Sequence, residues 1–382
     1  MKSLITYMQK LGLTKGQIWG LGIFLFFVVF GKIIAFDGYL VAFSDNGISV
    51  MSAIEEPNFG IRAPIPYSAN SIDKNNRKTG PWDKQDVSNL YYRHWLGTDS
   101  IGRDILAGII HGSYLAFLIG FVASLLALMI GSLMAYLSGY FGNTGIRIPI
   151  RFLWIGVLLI LVNTYFLFYG NVRQIVIIIS ITVMTAYFLH KRKLKLKVST
   201  PTWGFPLDII VLRLIEVFKS IPALFLILVL LPILGKPSYW NVIWIIALTR
   251  WPTITRHLRA EILNVRKENF ITAAQSSGLS DSRIFVKYIL PLSISPLIIV
   301  TAFGISSAVL LESTLSFLGI GVPVDVVTWG GILKEARLHL NAWWLALFPG
   351  LCIYGLIYLF NSIGDRINDY VLKSNRQYEG PV

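Results

Sequence analysis

The chain has 382 residues, 54% of them hydrophobic and only 14% charged, with a formal net charge of +14 and a mean hydropathy of +0.63. That composition excludes an ordinary soluble domain. It also argues against a nucleic-acid partner: the basic residues flank uncharged runs long enough to cross a hydrocarbon core about 30 Å thick, where positive charge marks the cytoplasmic side.

Lys2, Lys10 and Lys15 precede the first apolar run, residues 18–36, and no acidic residue comes before Asp37. The run is too long for a signal-peptide core and no small-x-small site follows it. It reads as an uncleaved first span after a cytoplasmic N-terminus, residues 1–17. Residues 37–104 are polar, contain Pro57, Pro64, Pro66 and Pro81, and read as an extracytoplasmic loop long enough to form a small cap. The block 105–143 holds a second span, in which Gly108, Gly112, Gly120 and Gly131 permit close helix contact.

Two apolar runs follow, 152–169 and 172–189, and then "HKRKLKLK". Lys191, Arg192, Lys193, Lys195 and Lys197 would each cost about 2.5–3.5 kcal/mol at the centre of a membrane helix. They fix that end in the cytoplasm, with Arg147 and Arg151 on the same side, so residues 144–204 form an out-and-back transmembrane hairpin. Spans at 211–234, 238–252, 292–318 and 343–363 bring the count to eight. The tail 371–382 and the loop 253–291 are then inside.

Within that loop, residues 260–277 are mostly good helix formers, and Gly278 is placed to end the helix in the left-handed conformation. Ser280 and Asp281 suit the start of a second helix, which Pro291 would break at the membrane. Ala273 and Ala274 keep the surface low for a close approach by another protein.

No catalytic constellation accompanies these elements, so the chain is not expected to be an enzyme. The histidines at 94, 111, 190, 257 and 339 are scattered, and none pairs at a metal-ligand spacing. Neither Gly31-Lys32 nor Gly235-Lys236 belongs to a P-loop, so no ATP site and no cofactor are expected. "GTDSIGRD" reads as a structural turn at the membrane surface. Glu312, a carboxylate in or near a span, is a candidate for a pathway or packing role.

"TAAQSSGLSDSRIFVKYILP" resembles the signature loop of binding-protein-dependent ABC transporter permeases: E-A-A, three residues, Gly, nine residues, I-x-L-P. Ala273, Ala274, Gly278, Leu290 and Pro291 match in register, while Thr272 replaces the Glu and Tyr288 the Ile. "HWLGTDSIGRDILAGIIHGSYLAFLIG", "RWPTITRHLRAEIL", "ESTLSFLGIGVP", "TWGGIL", "FPG" and "FNSIGD" are similar, in order, to blocks of the second permease type of dipeptide and oligopeptide importers. The resemblance covers residues 92–143 and 205–370. A family motif is split, with Gly139, Tyr140 and Gly142 on one side of residues 144–204 and Asp208, Arg213, Glu216 and Pro222 on the other.

The resemblance implies an all-α integral membrane protein of a bacterial plasma (inner) membrane, with a six-helix type I importer core in residues 105–143 and 205–370, plus the inserted hairpin. It implies a multi-pass permease subunit for peptides that works with a sister permease, separate ATP-binding subunits, an extracytoplasmic substrate-binding protein and membrane lipid. Phe270, Ala273, Ala274, Gly278, Leu290 and Pro291 would form the ATPase-coupling loop, and Glu216 joins Glu312 as a pathway or packing candidate. Nickel and other small solutes are alternative cargoes. A secondary transporter is a further alternative, although no internal repeat supports it.

Overall fold

The computed structural model describes residues 12–44, 47–52, 59–143, 147–149 and 202–378. The chain divides into two compact units, one built from residues up to Met134 together with those from Glu216 onward, the other from Ala135–Ile215.

In the first unit, helix α1 (Lys15–Ile34) opens on a capping box. The Thr14 hydroxyl accepts from the Gln17 N–H at 3.3 Å, and the Gln17 side-chain oxygen accepts from the Thr14 N–H at 2.8 Å. The same Gln17 donates its amide to the Ser362 carbonyl at 3.0 Å, tying this end of α1 to helix α10 (Trp344–Tyr378). Trp19, Ile23, Phe26, Val29 and Phe30 remain exposed on α1. In water that face would drive aggregation; against lipid tails it carries no penalty.

A small antiparallel sheet comes next, in the order β2-β1-β3, with β1 at Tyr39–Ser44, β2 at Gly47–Ser52 and β3 at Phe59–Arg62. The segment between α1 and the next helix therefore contains strands, while the helices long and apolar enough to cross a membrane carry none. That division results from lipid itself, in which an open sheet edge cannot satisfy its backbone.

Helix α2 (Ile105–Ala135) runs on through a π-helical turn, Tyr136–Phe141. All four of its glycines meet another segment. A Cβ on Gly112 would lie 2.6 Å from Trp329, and one on Gly108 3.1 Å from Ile332. A Cβ on Gly120 or Gly131 would lie 2.8 Å from Val309 or Ile254. Helices α4 (Ala223–Ile233), α5 (Tyr239–Val265) and α8 (Leu290–Leu318) join α2 in one apolar core around Ile119, Ile227, Ile243, Ile246 and Leu315. A second core, around Ala116, Val309, Ile353 and Phe360, adds α10 and the short helix α9 (Trp329–Leu338).

Among the described residues four helices are long and apolar enough to cross a membrane: Lys15–Ile34, Ile105–Phe141, Leu297–Leu318 and Trp344–Tyr370. Helix α3 (Leu207–Ser220) and α4 make a fifth if that bent pair is one span. Helix α5 does not stop at Pro252 as the span 238–252 implied; it continues to Val265. Thr255 spans that level, its hydroxyl lying 2.9 Å from the Trp251 carbonyl and 3.1 Å from that of Gly131.

In the second unit, β4 (Arg147–Pro149) pairs antiparallel with β5 (Thr202–Gly204), Arg147 opposite Gly204 and Pro149 opposite Thr202. The ladder brings together the two ends of the inserted segment. The apolar runs 152–169 and 172–189 and the basic run after them lie outside the described residues.

Candidate functional site

The polar stretch between α5 and α8 folds as a helical hairpin. Helix formers run continuously through residues 260–277, but α5 ends at Val265 and a separate α6 (Asn269–Ser276) begins after Glu268, whose backbone is extended at ψ 140°. Propensity alone does not hold one axis here: α6 turns to bury Ile271 and Ala274. It ends in a Schellman motif, with Leu279 N–H donating to the Ala274 carbonyl at 3.3 Å and Gly278 N–H to that of Gln275 at 3.0 Å. Gly278 has φ +77°, the left-handed conformation expected of it. A Cβ there would meet open space, so glycine is required by conformation and not by crowding.

Helix α7 (Asp281–Ile284) starts directly after Ser280. Pro291 does not break the helix at the membrane. The chain stays helical through a π turn, Phe285–Ile289, into α8, and Leu290 N–H reaches back to the Phe285 carbonyl. Widening the ladder just before a proline accommodates the missing donor without ending the helix.

These side chains point in different directions. Ala274 is 9% exposed and faces its own chain, so its small size serves closure of the hairpin, not an outer surface. Ala273 and Gly278 are exposed, Pro291 is exposed and Leu290 half-buried. Phe270 is 43% exposed, with its ring 6.4 Å from that of Tyr288 across the hairpin. The outward face is thus Phe270, Ala273 and the Gly278 turn.

The two acidic candidates are not gathered into one site. Glu216 lies on an exposed face of α3. Glu312 is buried in α8 at 1% exposure, and Ser316 Oγ donates to its carboxylate at 2.7 Å and Ser313 Oγ at 3.3 Å. Thr328 also hydrogen-bonds it, while the Thr328 oxygen accepts from Gly331 N–H at 3.0 Å as the N-cap of α9. The carboxylate therefore sits at the positive end of α9, connected through the capping hydroxyl. Gly330 lets the helices meet: a Cβ there would lie 2.3 Å from the Ser313 carbonyl oxygen. Through these bonds Glu312 fastens α9 to α8.

"GTDSIGRD" is a structural turn. Asp99 Oδ1 accepts from the N–H groups of Ile101, Gly102 and Arg103 at 2.8–3.0 Å, and Asp99 Oδ2 pairs with Arg103 Nε at 2.6 Å. Just before it lies a cluster that sequence reading missed. His94 is fully buried, with Nδ1 2.9 Å from Asp104 and Nε2 3.2 Å from Asp73, and Tyr67 stacks on its ring at 4.2 Å. An acceptor at each nitrogen is satisfied only by the imidazolium, which has two N–H groups. Burial opposes that charge, but the hydrogen bonds and charges of Asp104 and Asp73 outweigh it and raise the His94 pKa above its ordinary value. Asp104 also accepts from Ala107 N–H at 2.7 Å in the first turn of α2, so His94 ties the segment before α2 to that helix. His94 and Asp104 were visible as neighbours in sequence; Asp73 carried no local signal.

The family of binding-protein-dependent transport system inner membrane components matches residues 202–377. The chain is 30% identical over 275 residues to the dipeptide transport system permease protein DppC of Haemophilus influenzae, covering 72% of each chain. It is 28% identical over 330 residues to the protein of that name from Alkalihalophilus pseudofirmus, covering 85% of each. Against the probable D,D-dipeptide transport system permease protein DdpC of Escherichia coli it is 29% identical over 277 residues, 72% of each. Among solved structures, an inward-facing form of the MetNI methionine ABC transporter matches 70% of this chain and 97% of that one, with 16% identity and a TM-score of 0.46.

Proposed function

The chain belongs to the binding-protein-dependent transport system inner membrane component family, and from that premise we propose that it is the permease subunit of an ATP-driven importer of short peptides. It is a multi-pass protein of the bacterial inner membrane. Members of this family work with ATPase and binding-protein partners. In this chain the partners are read as a sister permease completing the pathway, ATP-binding subunits on the cytoplasmic side and an external binding protein delivering the peptide.

The observation that carries the reading is the hairpin of α6 and α7. It is a compact, exposed helical knob between α5 and α8, its first helix ended by a left-handed glycine that nothing crowds. Phe270 and Ala273 form its outer face, an aromatic beside a low surface, the shape that enters a groove on a partner. Because π-helical and α-helical turns run without a break from α7 into α8, a displacement of the knob is transmitted to the span instead of being absorbed in a loop. ATPase closure and opening would thereby move α8 and the elements packed on it, α9 and α10.

Ala273→Arg tests this. It places a long charged side chain on the exposed face, where the hairpin itself loses nothing, and overpacking a tight contact costs about 1–3 kcal/mol. The expected result is normal membrane levels with loss of both transport and ATPase retention in mild detergent. Ala274→Arg, by contrast, should disrupt the hairpin itself. Normal transport by Ala273→Arg with the ATPase still bound would reduce the hairpin to a connector.

A further inference from the structure

We infer that the inner half of α5 lines an aqueous pathway and that Arg250, at its deep end, binds the terminal carboxylate of the transported peptide; this rests on the peptide-importer reading above. Helix α5 has two chemically distinct sides. Trp251, Ile254, Leu258 and Ile262 are buried. From Arg250 inward, Thr253, His257, Ala260 and Asn264 recur every three or four residues, which aligns them on one face. Arg250 and Thr253 are half-buried, and the other three are exposed, as is Arg256 beside them. Ile246, one turn outward on the same face, is fully buried, so the open polar face begins at Arg250 and runs toward the cytoplasmic end.

Its depth makes Arg250 informative. Helix α5 is capped by Ser238 at the end assigned to the outside, where exposed Trp240 and Trp244 suit a membrane interface. At 1.5 Å per residue Arg250 lies about 18 Å along the axis, past the middle of a core about 30 Å thick. A guanidinium facing lipid there is strongly disfavoured, so the face needs water or a polar partner. Among the described residues Arg250 forms no ion pair, and no acidic residue occurs on α5 before Glu261. Arg256, exposed beside this face, lies close to Lys219 of α3, which has the same sign, and Glu216 sits one turn before Lys219. Such a surface repels cations and concentrates anions.

The chemistry selects among anions. A guanidinium offers two parallel N–H donors that match a carboxylate. A peptide ends in such a carboxylate. Every peptide has that end whatever its side chains, so one fixed arginine suits cargo of varied sequence.

The test uses Thr253→Cys in a Cys352→Ala background, with the importer fully assembled in inside-out membrane vesicles. Labelling rates are compared for an anionic sulfonatoethyl and a cationic trimethylammonioethyl methanethiosulfonate, with Asp369→Cys, exposed on α10 outside the docking hairpin, as the accessible control. The anionic reagent should react faster by about tenfold, and Arg250→Gln should abolish that preference. Alanylalanine should slow labelling and alanylalanine amide should not, a difference that Arg250→Gln removes and Arg250→Lys only weakens. Absence of labelling by either reagent would bury this face against a partner or lipid and overturn the pathway. An anionic preference that survives Arg250→Gln would overturn the role of Arg250. An Arg250-dependent preference with no protection by any dipeptide would keep the anion site and overturn the peptide cargo.

Discussion

Glu312 and His94 are both buried ionisable groups, yet they behave differently because of what surrounds them. Glu312 is held only by hydroxyls, and the N-terminus of α9 supplies the rest of its compensation. Glu312→Leu should strand the Thr328 hydroxyl and remove the fastening of α9 to α8. Losing such buried bonds costs about 1–3 kcal/mol, read as a lower thermal midpoint in detergent, with Glu312→Gln milder because its amide still bonds. An unchanged midpoint for Glu312→Leu would contradict the packing role. His94 instead faces full charges, which gives its stability contribution a pH dependence. Its folded-state pKa is raised above the ordinary 6.5, so the contribution is complete below that value and lost as pH rises through the raised one. For Asp73, burial pushes the pKa up, but hydrogen bonds from Asn76, Asn75 and His94 prevail and hold it below the ordinary 3.8; its contribution is lost only as pH falls through that lowered value. The junction between residues 59–104 and α2 should therefore weaken on the alkaline side. Amide exchange in residues 94–107 should accelerate with an alkaline step beyond the intrinsic pH effect, and His94→Gln should lack that step.

At the scale of elements, the glycines of α2 and the β4–β5 ladder make separate predictions. Gly131 brings α2 against α5 so closely that a Cβ would lie 2.8 Å from Ile254 and 3.2 Å from the Trp251 carbonyl oxygen. Gly131→Leu should force those helices apart, at about 1–3 kcal/mol or more, and release detergent-solubilised protein to aggregation at lower temperature. Gly16 and Gly355 have nothing within 4 Å of such a Cβ, and alanine at either should be neutral in the same assay. The ladder gives the insertion a defined base. Pro149 and Thr202 are direct partners, so replacing residues 150–201 with Asn-Gly would close a two-residue hairpin without disturbing the register. The downstream chain should keep its orientation: a cysteine at Ser276 in the shortened, Cys352→Ala protein should remain hidden from an impermeant thiol reagent in intact spheroplasts. Labelling there would show that the insertion takes part in setting topology.

For the whole molecule, eight crossings would place residues 37–104 outside and the hairpin of α6 and α7 inside. In the full-length Cys352→Ala protein, cysteine at Ser71 should label in intact spheroplasts, whereas cysteine at Ser199 or Ser276 should label only after permeabilisation. The reverse result at either inner position would remove the arrangement. Much of this was legible in the amino-acid order because it depends on local quantities. Length and hydropathy of runs mark spans, basic flanks set sides, and a glycine among small polar residues ends α6 in the left-handed conformation that the fold displays. What the order of residues could not settle is which way a side chain faces and what meets it from far along the chain. Ala273 and Ala274 are identical neighbours, but only packing makes one exposed and the other buried. Asp73 comes to His94 across an irregular segment with no periodicity to announce it, and Thr328 reaches Glu312 through a loop between helices. Arg250 was one more basic residue near a span end until α5 was seen to continue past Pro252, which moved it from the flank to the interior. The sequence by itself marked the long apolar runs that fold as α1, α2, α8 and α10, because transfer free energy sums over neighbours in the chain. The tertiary structure alone decided which charged groups are paired and which face an open surface, because those energies depend on distances between residues the chain does not place side by side.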